Sequence, residues 1–253
     1  MARAWSTVEI ESGGGVALLT LDRPEVLNAY DRRMRDELFE VLSYVRQTPE
    51  VRVLVVRGRG RAFSSGGDLR EFGTAPSAWR AREIRQIRDV WGLWLALPCP
   101  TIAAVHGVAA GGGLEMALLC DIVVCANDAR LLLPETGLGL MPGVGGTQTL
   151  PRLGRTGLAN RLLLAGEEIS GREAARRGLI AKAVPETGLA VCVRRLAARL
   201  AEQDPAKTRA IKAAVARGLD IGLEEGLALE RRLAAAGGIV HRKRWHQPVQ
   251  GTR

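Results

Sequence analysis

The sequence predicts an α/β fold in which β-β-α units repeat, followed by a C-terminal helical region. Strand-like runs alternate with helix-like segments through the first two-thirds of the chain, and helical periodicity dominates after about residue 150. The chain has 253 residues and is 47% hydrophobic, which is enough to form one large core. We expect a first region over residues 1–195 that contains the strands and a second, helical region over residues 196–253.

The first predicted element is a β-hairpin. The runs "TVEIE" and "VALLTLD" flank the turn "SGGG", and glycine-rich turns between alternating segments are typical of hairpins. Asp31 is then the predicted N-cap of an amphipathic helix that ends at about Gln47. Its apolar residues share one helical face: Met34, Leu38, Val41, Leu42 and Val45.

The middle of the chain alternates buried strands with glycine-rich loops. The predicted strands are "VRVLVVRG", "TIAAVHG", "DIVVCA" and "ARLLLPE". A helix is predicted from Ala78 to Leu97, because Pro98 ends it, and another follows the loop "AAGGGLE". Beyond this point only "IAKAV" is predicted as a strand, and three helices follow in "LAVCVRRLAARLAEQ", "PAKTRAIKAAVARGL" and "LEEGLALERRLAAA".

Composition narrows the classes of function. The net charge of +9 comes from basic residues spread along the chain, and aromatic residues are only 4%, so we expect no nucleic-acid partner. No run reaches about 18 apolar residues and no signal-peptide core is present, so we expect no membrane span and a cytoplasmic location. The cysteines lie in apolar stretches without paired CxxC motifs, so we expect neither a metal site nor disulfides: Cys99, Cys120, Cys125 and Cys192.

Three glycine-rich loops follow strands, and two of them are linked to carboxylates. Gly111, Gly112 and Gly113 precede a helix with Glu115 in its first turn, so their N–H groups are free donors at the positive end of the helix dipole and suit an oxyanion. Glu115 is either a simple helix-start acid or, given its apolar flanks, a buried acid with a task. Glu135 is either a loop acid or the second half of a general acid/base couple.

Five segments of the sequence, taken together, resemble those of a known protein family. They are "VALLTLDRPEVLNA", "VLVVRGRGRAFSSGGDL", "TIAAVHGVAAGGGLEMALLCDIVVC", "LLLPETGLGLMPGVGGTQTLPRLG" and "GREAARRGLIAKAV". In order and spacing they resemble the enoyl-CoA hydratase/isomerase, or crotonase, superfamily, over roughly residues 5–230. The resemblance implies a crotonase-like spiral of β-β-α units with a C-terminal helical region, and an acyl-CoA thioester as substrate.

The resemblance also implies roles for single residues. The backbone N–H groups of Gly67 and Gly112 would form an oxyanion hole for the thioester oxygen, each donor being worth about 3–4 kcal/mol. No metal and no cofactor are implied, because coenzyme A is part of the substrate. Residues expected to contact coenzyme A or its thioester are Arg23, Val26, Leu27, Ala29, Ser65, Gly67, Asp68, Leu69 and Gly112, with Arg23 placed at the phosphates.

Both family glutamates are present, so the resemblance favours an enoyl-CoA hydratase, a hydro-lyase of fatty acid β-oxidation. Glu115 would orient and activate a water, and Glu135 would deliver the proton to C2. The alternatives are a double-bond isomerase, an acyl-CoA hydrolase, and a noncatalytic family member. A homotrimer or a dimer of trimers is expected by resemblance.

The C-terminal segment "AAAGGIVHRKRWHQPVQGTR" is shorter than the family pattern. In the family this region closes the acyl pocket and joins subunits, so acyl-chain preference and assembly are affected. The basic run Arg242–Arg244 is either a solvated tail or a phosphate contact. His106 is expected to be structural, and three tryptophans are expected to line either the acyl tunnel or the core: Trp79, Trp91 and Trp94.

Overall fold

Nine strands form two sheets within the residues that the computed structural model describes, which are 5–75, 77, 79 and 87–236. The larger sheet has six strands, in the spatial order β1 (Val8–Gly13), β2 (Val16–Leu21), β3 (Val53–Gly58), β4 (Thr101–Val105), β6 (Ile122–Ala126) and β9 (Lys182–Val184). The smaller sheet has the order β5 (Val108–Ala110), β7 (Arg130–Leu132) and β8 (Glu168–Ser170).

The predicted hairpin and the predicted buried strands are confirmed. β1 and β2 pair antiparallel, with Val8 opposite Leu21 and Gly13 opposite Val16. The remaining pairs of the larger sheet are parallel. All five residues of β4 are buried, because a parallel strand covered on both faces has no solvent side.

Successive strands alternate between the sheets, which makes the chain a spiral of β-β-α turns. β4 lies in the larger sheet, β5 in the smaller sheet, and a helix follows; β6 and β7 repeat the alternation. The predicted fold class is therefore confirmed. The helices are α1 (Arg32–Gln47), α2 (Val90–Leu95), α3 (Gly112–Leu118), α4 (Gly146–Leu153), α5 (Thr156–Ala165), α6 (Gly171–Arg176), α7 (Glu186–Ala201), α8 (Pro205–Gly218) and α9 (Leu223–Ala236).

Helix α1 has the predicted cap, bounds and buried face. The Asp31 side chain accepts a hydrogen bond from the Met34 N–H at 2.8 Å, which satisfies one of the unpaired donors at the helix start. The five apolar residues predicted for its inner face are all buried. Periodicity was a sufficient signal here because this helix packs with a single stripe on the sheet.

Two short strands were not predicted. β5 lies where only a glycine-rich loop was expected, and β8 lies in the part of the chain where only "IAKAV" was expected as a strand. Each has three residues, too few to show a period of two. The prediction of one continuous helix from Ala78 to Leu97 is wrong, because Arg88 and Asp89 are not helical and Asp89 caps a separate helix, α2, that ends at Leu95. Residues 76, 78 and 80–86 lie outside the described residues.

The apolar core lies on both faces of the larger sheet. One face packs against α1 and α3 among others. The other face packs against α7 through Leu189, Val193, Ala197 and Ala201. Helix α7 packs on the larger sheet and is therefore part of the first compact unit. The chain divides into two such units after Gln203, whereas the boundary expected after residue 195 falls inside α7.

The second unit contains α8 and α9, which pack against each other. Asp204 caps α8 by accepting from the N–H groups of Ala206 and Lys207 at 2.8 and 3.2 Å. The tail from residue 237 onward, including Arg242–Arg244, lies outside the described residues. None of the helices in the described ranges is long and apolar enough to cross a membrane.

Candidate active site

The loop after β2 is held in an unusual backbone conformation by one buried side chain. Leu27 and Asn28 both have φ of 55°, a left-handed conformation that asparagine tolerates better than most residues. The Asn28 amide donates to the Arg59 and Ala62 carbonyls at 2.9 and 2.8 Å. Its Oδ1 accepts from the Arg23 N–H at 2.9 Å, so this fully buried side chain fixes the loop.

The predicted coenzyme A residues of two loops meet through Ser65. Its N–H donates to the Leu27 carbonyl at 2.9 Å, and its hydroxyl donates to the Val26 carbonyl at 3.2 Å. Leu69 is 56% exposed, and Ala29 is buried. The structure thus brings Ser65 next to Val26 and Leu27, and the contact of the predicted residues with coenzyme A stays a prediction.

Arg23 is held inside this loop. Its Nη1 donates to the Ala29 carbonyl at 2.6 Å, and its Nη2 lies 3.1 Å from Asp31 and 3.4 Å from Asp68. The guanidinium therefore braces the loop. The phosphate contact expected of Arg23 stays a prediction, and it would have to compete with these partners.

Asp68 is the hub of the same charged network. Hydrogen bonding from Arg70, whose Nε and Nη2 lie 2.9 and 2.6 Å from the carboxylate, lowers the pKa of Asp68 to about 2. Asp68 also caps the short 3-10 helix Leu69–Glu71. The carboxylate is consequently ionised at neutral pH and serves the loop.

The two predicted oxyanion donors lie on adjacent loops. The loop of Gly67 is hydrogen-bonded to Tyr30 on both sides, since the Gly66 carbonyl accepts from Tyr30 and the Asp68 N–H donates to Tyr30, at 2.8 and 2.9 Å. In such a parallel bridge the N–H of Gly67 points away from the Tyr30 backbone. Within the described ranges, no hydrogen bond occupies the N–H of Gly67 or of Gly112.

Close packing keeps these loops together. Gly66 has φ of +96°, and a Cβ there would lie 2.7 Å from the Ala110 carbonyl oxygen and 3.1 Å from the Gly112 nitrogen. Only glycine permits this backbone approach. The Ser64 carbonyl also accepts from the Ala110 N–H at 3.0 Å, so the Gly67 loop is fixed beside the start of α3.

Glu115 is a buried carboxylate with backbone donors. It is 1% exposed and lies in the first turn of α3. Its Oε1 accepts from the N–H groups of Val144 and Gly146 at 3.0 and 2.6 Å. These donors at the start of α4 therefore satisfy a buried carboxyl oxygen of Glu115.

Glu135 has the opposite environment. It begins the 3-10 helix Glu135–Leu138, and its Oε2 is buried without a hydrogen-bond partner among the described residues. Burial, with a smaller contribution from the negative charge of Glu115, raises the pKa of Glu135. A Cβ on Gly111 would lie 2.8 Å from Glu135 Oε1, so this carboxyl group abuts the residue that precedes α3.

These groups form one polar site at the first turn of α3. Two N–H donors without a partner in the described ranges, a carboxylate held by two backbone N–H groups and a carboxyl group with a raised pKa surround the glycines 111–112. Such a set can stabilise charge on a carbonyl oxygen while it moves two protons at neighbouring atoms. No group of three or more His, Cys, Asp or Glu suited to a metal ion occurs among residues 5–75, 77, 79 and 87–236.

Other predicted residues lie in structural roles. His106 Nε2 forms a hydrogen bond of 2.8 Å with the Gly60 carbonyl, in agreement with the structural role expected for it. Trp94 is fully buried in the core, whereas Trp79 is 74% exposed. Trp91 stacks edge-on against Tyr30 with ring centroids 5.4 Å apart.

Sequence reasoning missed several residues of the site. Asn28 and Tyr30 were not singled out, although the asparagine in "VLNA" is a signal for a left-handed turn. Val144 and Gly146 were also missed. They bind Glu115 through backbone N–H groups, so their side-chain types give no signal in the sequence.

Comparison with known proteins identifies relatives along most of the chain. The family model for enoyl-CoA hydratase/isomerase matches residues 11–243. The chain is 37% identical to 2,3-dehydroadipyl-CoA hydratase of Escherichia coli, over 86% of this chain and 85% of the relative. It is 35% identical to crotonyl-CoA hydratase of Syntrophomonas wolfei, over 90% of this chain and 88% of the relative.

Solved structures show the same fold. A crystal structure of enoyl-CoA hydratase from Bacillus anthracis superposes with a TM-score of 0.86 at 33% sequence identity, covering 91% of this chain and 90% of the other. The similarity thus includes the spiral and the segments that form the polar site.

Proposed function

The chain belongs to the enoyl-CoA hydratase/isomerase family, and we propose that it adds water across the C2=C3 bond of a trans-2-enoyl-CoA to form a 3-hydroxyacyl-CoA. The observation that supports this reaction is the pair of buried carboxylates in unlike environments beside two free N–H groups. Relatives named as hydratases match over most of their length, which supports a hydro-lyase.

In the proposed mechanism the thioester oxygen binds the N–H groups of Gly67 and Gly112. These donors stabilise the enolate-like charge that develops when C3 is attacked, and they are fixed before the substrate arrives. Arg23, Asp68 and Asn28 hold the loop whose residues would contact coenzyme A.

The two carboxylates divide the proton transfers. Glu115, ionised, orients a water and accepts a proton from it as the oxygen bonds to C3. Glu135, protonated, donates its proton to C2 on the same face. The proton left on Glu115 returns to Glu135 through solvent, which completes the cycle without a metal or a redox cofactor.

The experiment is hydration of crotonyl-CoA, followed by loss of the conjugated thioester absorbance. We expect turnover by the wild type, and a fall in kcat of about 10²–10⁴-fold in Glu115→Gln and in Glu135→Gln. Glu50→Gln, at an exposed acid, is the matched control and should retain the wild-type rate. A wild type inactive on crotonyl-CoA and on longer enoyl-CoAs would contradict the proposal and direct attention to isomerase or hydrolase substrates.

Assembly and location belong to the same proposal. A homotrimer or dimer of trimers agrees with the large apolar side chains exposed on the second unit, among them Ile211, Val215, Leu219 and Leu223. Light scattering of the purified chain tests this assembly. The cytoplasmic location stays a prediction.

A further inference from the structure

Tyr30 lies between the two loops that hold the proposed oxyanion donors. A Cβ added to Gly112 would lie 2.8 Å from Cε1 and 2.9 Å from Cζ of Tyr30, and it would overlap the phenol oxygen. A Cβ added to Gly67 would lie 3.6 Å from the same oxygen. The Tyr30 hydroxyl is therefore next to both glycines at once.

The position of a bound thioester oxygen follows from ordinary hydrogen-bond geometry. An oxygen held by the N–H groups of Gly67 and Gly112 lies about 2.9 Å from each nitrogen. The Tyr30 hydroxyl, which lies against the Cβ position of Gly112 and 3.6 Å from that of Gly67, is a side-chain donor beside both of these residues. Gly112 and Glu115 are three residues apart in α3, so they share one face of the helix.

The Tyr30 ring is held in place by its surroundings. Its backbone bonds both sides of the Gly67 loop, and Trp91 packs against the ring in a T-shaped contact with an interplanar angle of 67°. Trp91 in turn packs against the fully buried Trp94 at 6.5 Å. A donor fixed before the substrate binds has little reorganisation to undergo during the reaction.

We propose that the Tyr30 hydroxyl is a third hydrogen-bond donor to the thioester oxygen, beside the two backbone N–H groups. The inference rests on the proposed function, because it places a thioester in this site. A phenol hydroxyl rotates about its C–O bond and donates one proton, so it strengthens its bond as negative charge develops on the oxygen. Tyr30 would then lower the barrier more than it tightens binding.

The test compares Tyr30→Phe with Tyr44→Phe, which removes the hydroxyl of the other tyrosine of the chain, 45% exposed on α1. Both variants keep their rings, so packing is retained. We expect Tyr30→Phe to lower kcat on crotonyl-CoA by about 10-fold or more with a smaller change in KM, as loss of a transition-state donor does. Tyr44→Phe should match the wild type.

A second measurement reports on the thioester oxygen directly. Donors to the carbonyl of trans-cinnamoyl-CoA shift its absorbance to longer wavelength on binding, and we expect a smaller shift in Tyr30→Phe than in the wild type. A wild-type rate together with a full shift in Tyr30→Phe would overturn the role of Tyr30.

The outcomes separate this inference from the proposed function. If the wild type shifts the cinnamoyl-CoA absorbance but does not hydrate any enoyl-CoA, the hydratase proposal fails while the spectral comparison still decides on Tyr30. If the wild type produces no shift, the thioester does not bind at these donors, and the role of Tyr30 is overturned as well. Thermal unfolding of both phenylalanine variants verifies that they are folded.

Discussion

The first turn of α3 and the 3-10 helix Glu135–Leu138 each contribute one buried glutamate, yet the two carboxyl groups have opposite surroundings. Glu115 accepts from two backbone N–H groups. Glu135 has an oxygen without a partner among the described residues and a raised pKa. The difference teaches that backbone donors and burial give two glutamates different surroundings, and in the proposed mechanism these surroundings separate the base from the acid.

The contrast depends on which backbone hydrogen-bond donors each segment presents to the carboxyl group. The start of α4 points unpaired N–H groups at Glu115, as helix starts do. In the 3-10 helix, the Glu135 carbonyl accepts from the Leu140 N–H at 2.8 Å. The carboxyl group of Glu135 lies against Gly111. Changes that alter either environment should therefore break the division of roles.

Among changes that keep both carboxyl groups and alter only their surroundings, displacing Glu115 should have the largest effect. In Gly146→Ala the new Cβ would lie 2.9 Å from Glu115 Oε1 and 3.1 Å from its Cγ, so the carboxylate must move. We expect kcat for crotonyl-CoA to fall about 10²-fold, because small displacements of a catalytic group cost that much. Steady-state kinetics provides the measurement.

Gly157→Ala is the matched control for this substitution. Its Cβ would meet no atom within 4 Å, and alanine is favoured over glycine in a helix by about 1 kcal/mol. We expect unchanged kcat and slightly higher stability. A wild-type kcat in Gly146→Ala would show that the position of Glu115 is not decisive.

A smaller effect, of opposite sign at the two sites, is expected on stability. Glu115→Gln replaces charge-assisted hydrogen bonds by weaker ones, so the free energy of unfolding should fall by about 1–2 kcal/mol. Glu135→Gln removes a buried carboxyl group whose raised pKa disfavours folding at neutral pH, so stability at neutral pH should stay equal or rise. Urea unfolding of both variants measures this, and equal losses in the two would refute the contrast.

The smallest effect concerns pH. Burial raises the pKa of Glu135 above its ordinary value of 4.5, so the folded state holds the proton more tightly than the unfolded chain. Stability from this group is full below 4.5 and is lost as pH rises through the higher folded pKa. The stability advantage of Glu135→Gln over wild type should consequently grow from acid to neutral pH.

Urea unfolding of wild type and Glu135→Gln at several pH values tests this dependence. Glu50→Gln, at an exposed acid, is measured over the same range as the control for removal of a carboxyl group. An advantage of Glu135→Gln that is independent of pH would mean that folding does not raise the pKa of Glu135.

Long, regular elements of the fold were predictable from the sequence, and short ones were not. Helix α1 was predicted with its cap and its buried face because both are local properties. Strands β5 and β8 were not, since three residues show no periodicity and their pairing with β7 depends on contacts distant in sequence. The division after Gln203 was missed for a similar reason, because α7 packs on the sheet.

The same distinction between local features and contacts distant in sequence applies to the site. Glu115 and the glycines before it could be found because an acid in an apolar stretch at a helix start is a local anomaly. The raised pKa of Glu135 could not be found, because it depends on burial by the folded chain and on the charge of Glu115. The place of Tyr30 beside Gly112 likewise requires the fold to bring separate turns together.

The Asn28 side chain has a consequence for redesign of this scaffold. It ties the Arg23–Ala29 loop to the carbonyls of Arg59 and Ala62, and the Ser64 hydroxyl closes the same connection by donating to the Asn28 carbonyl at 2.8 Å. These hydrogen bonds join the two loops into one structural unit. A design that replaces a loop to change the ligand should replace both segments together. Either loop alone would lose the hydrogen bonds that fix its conformation.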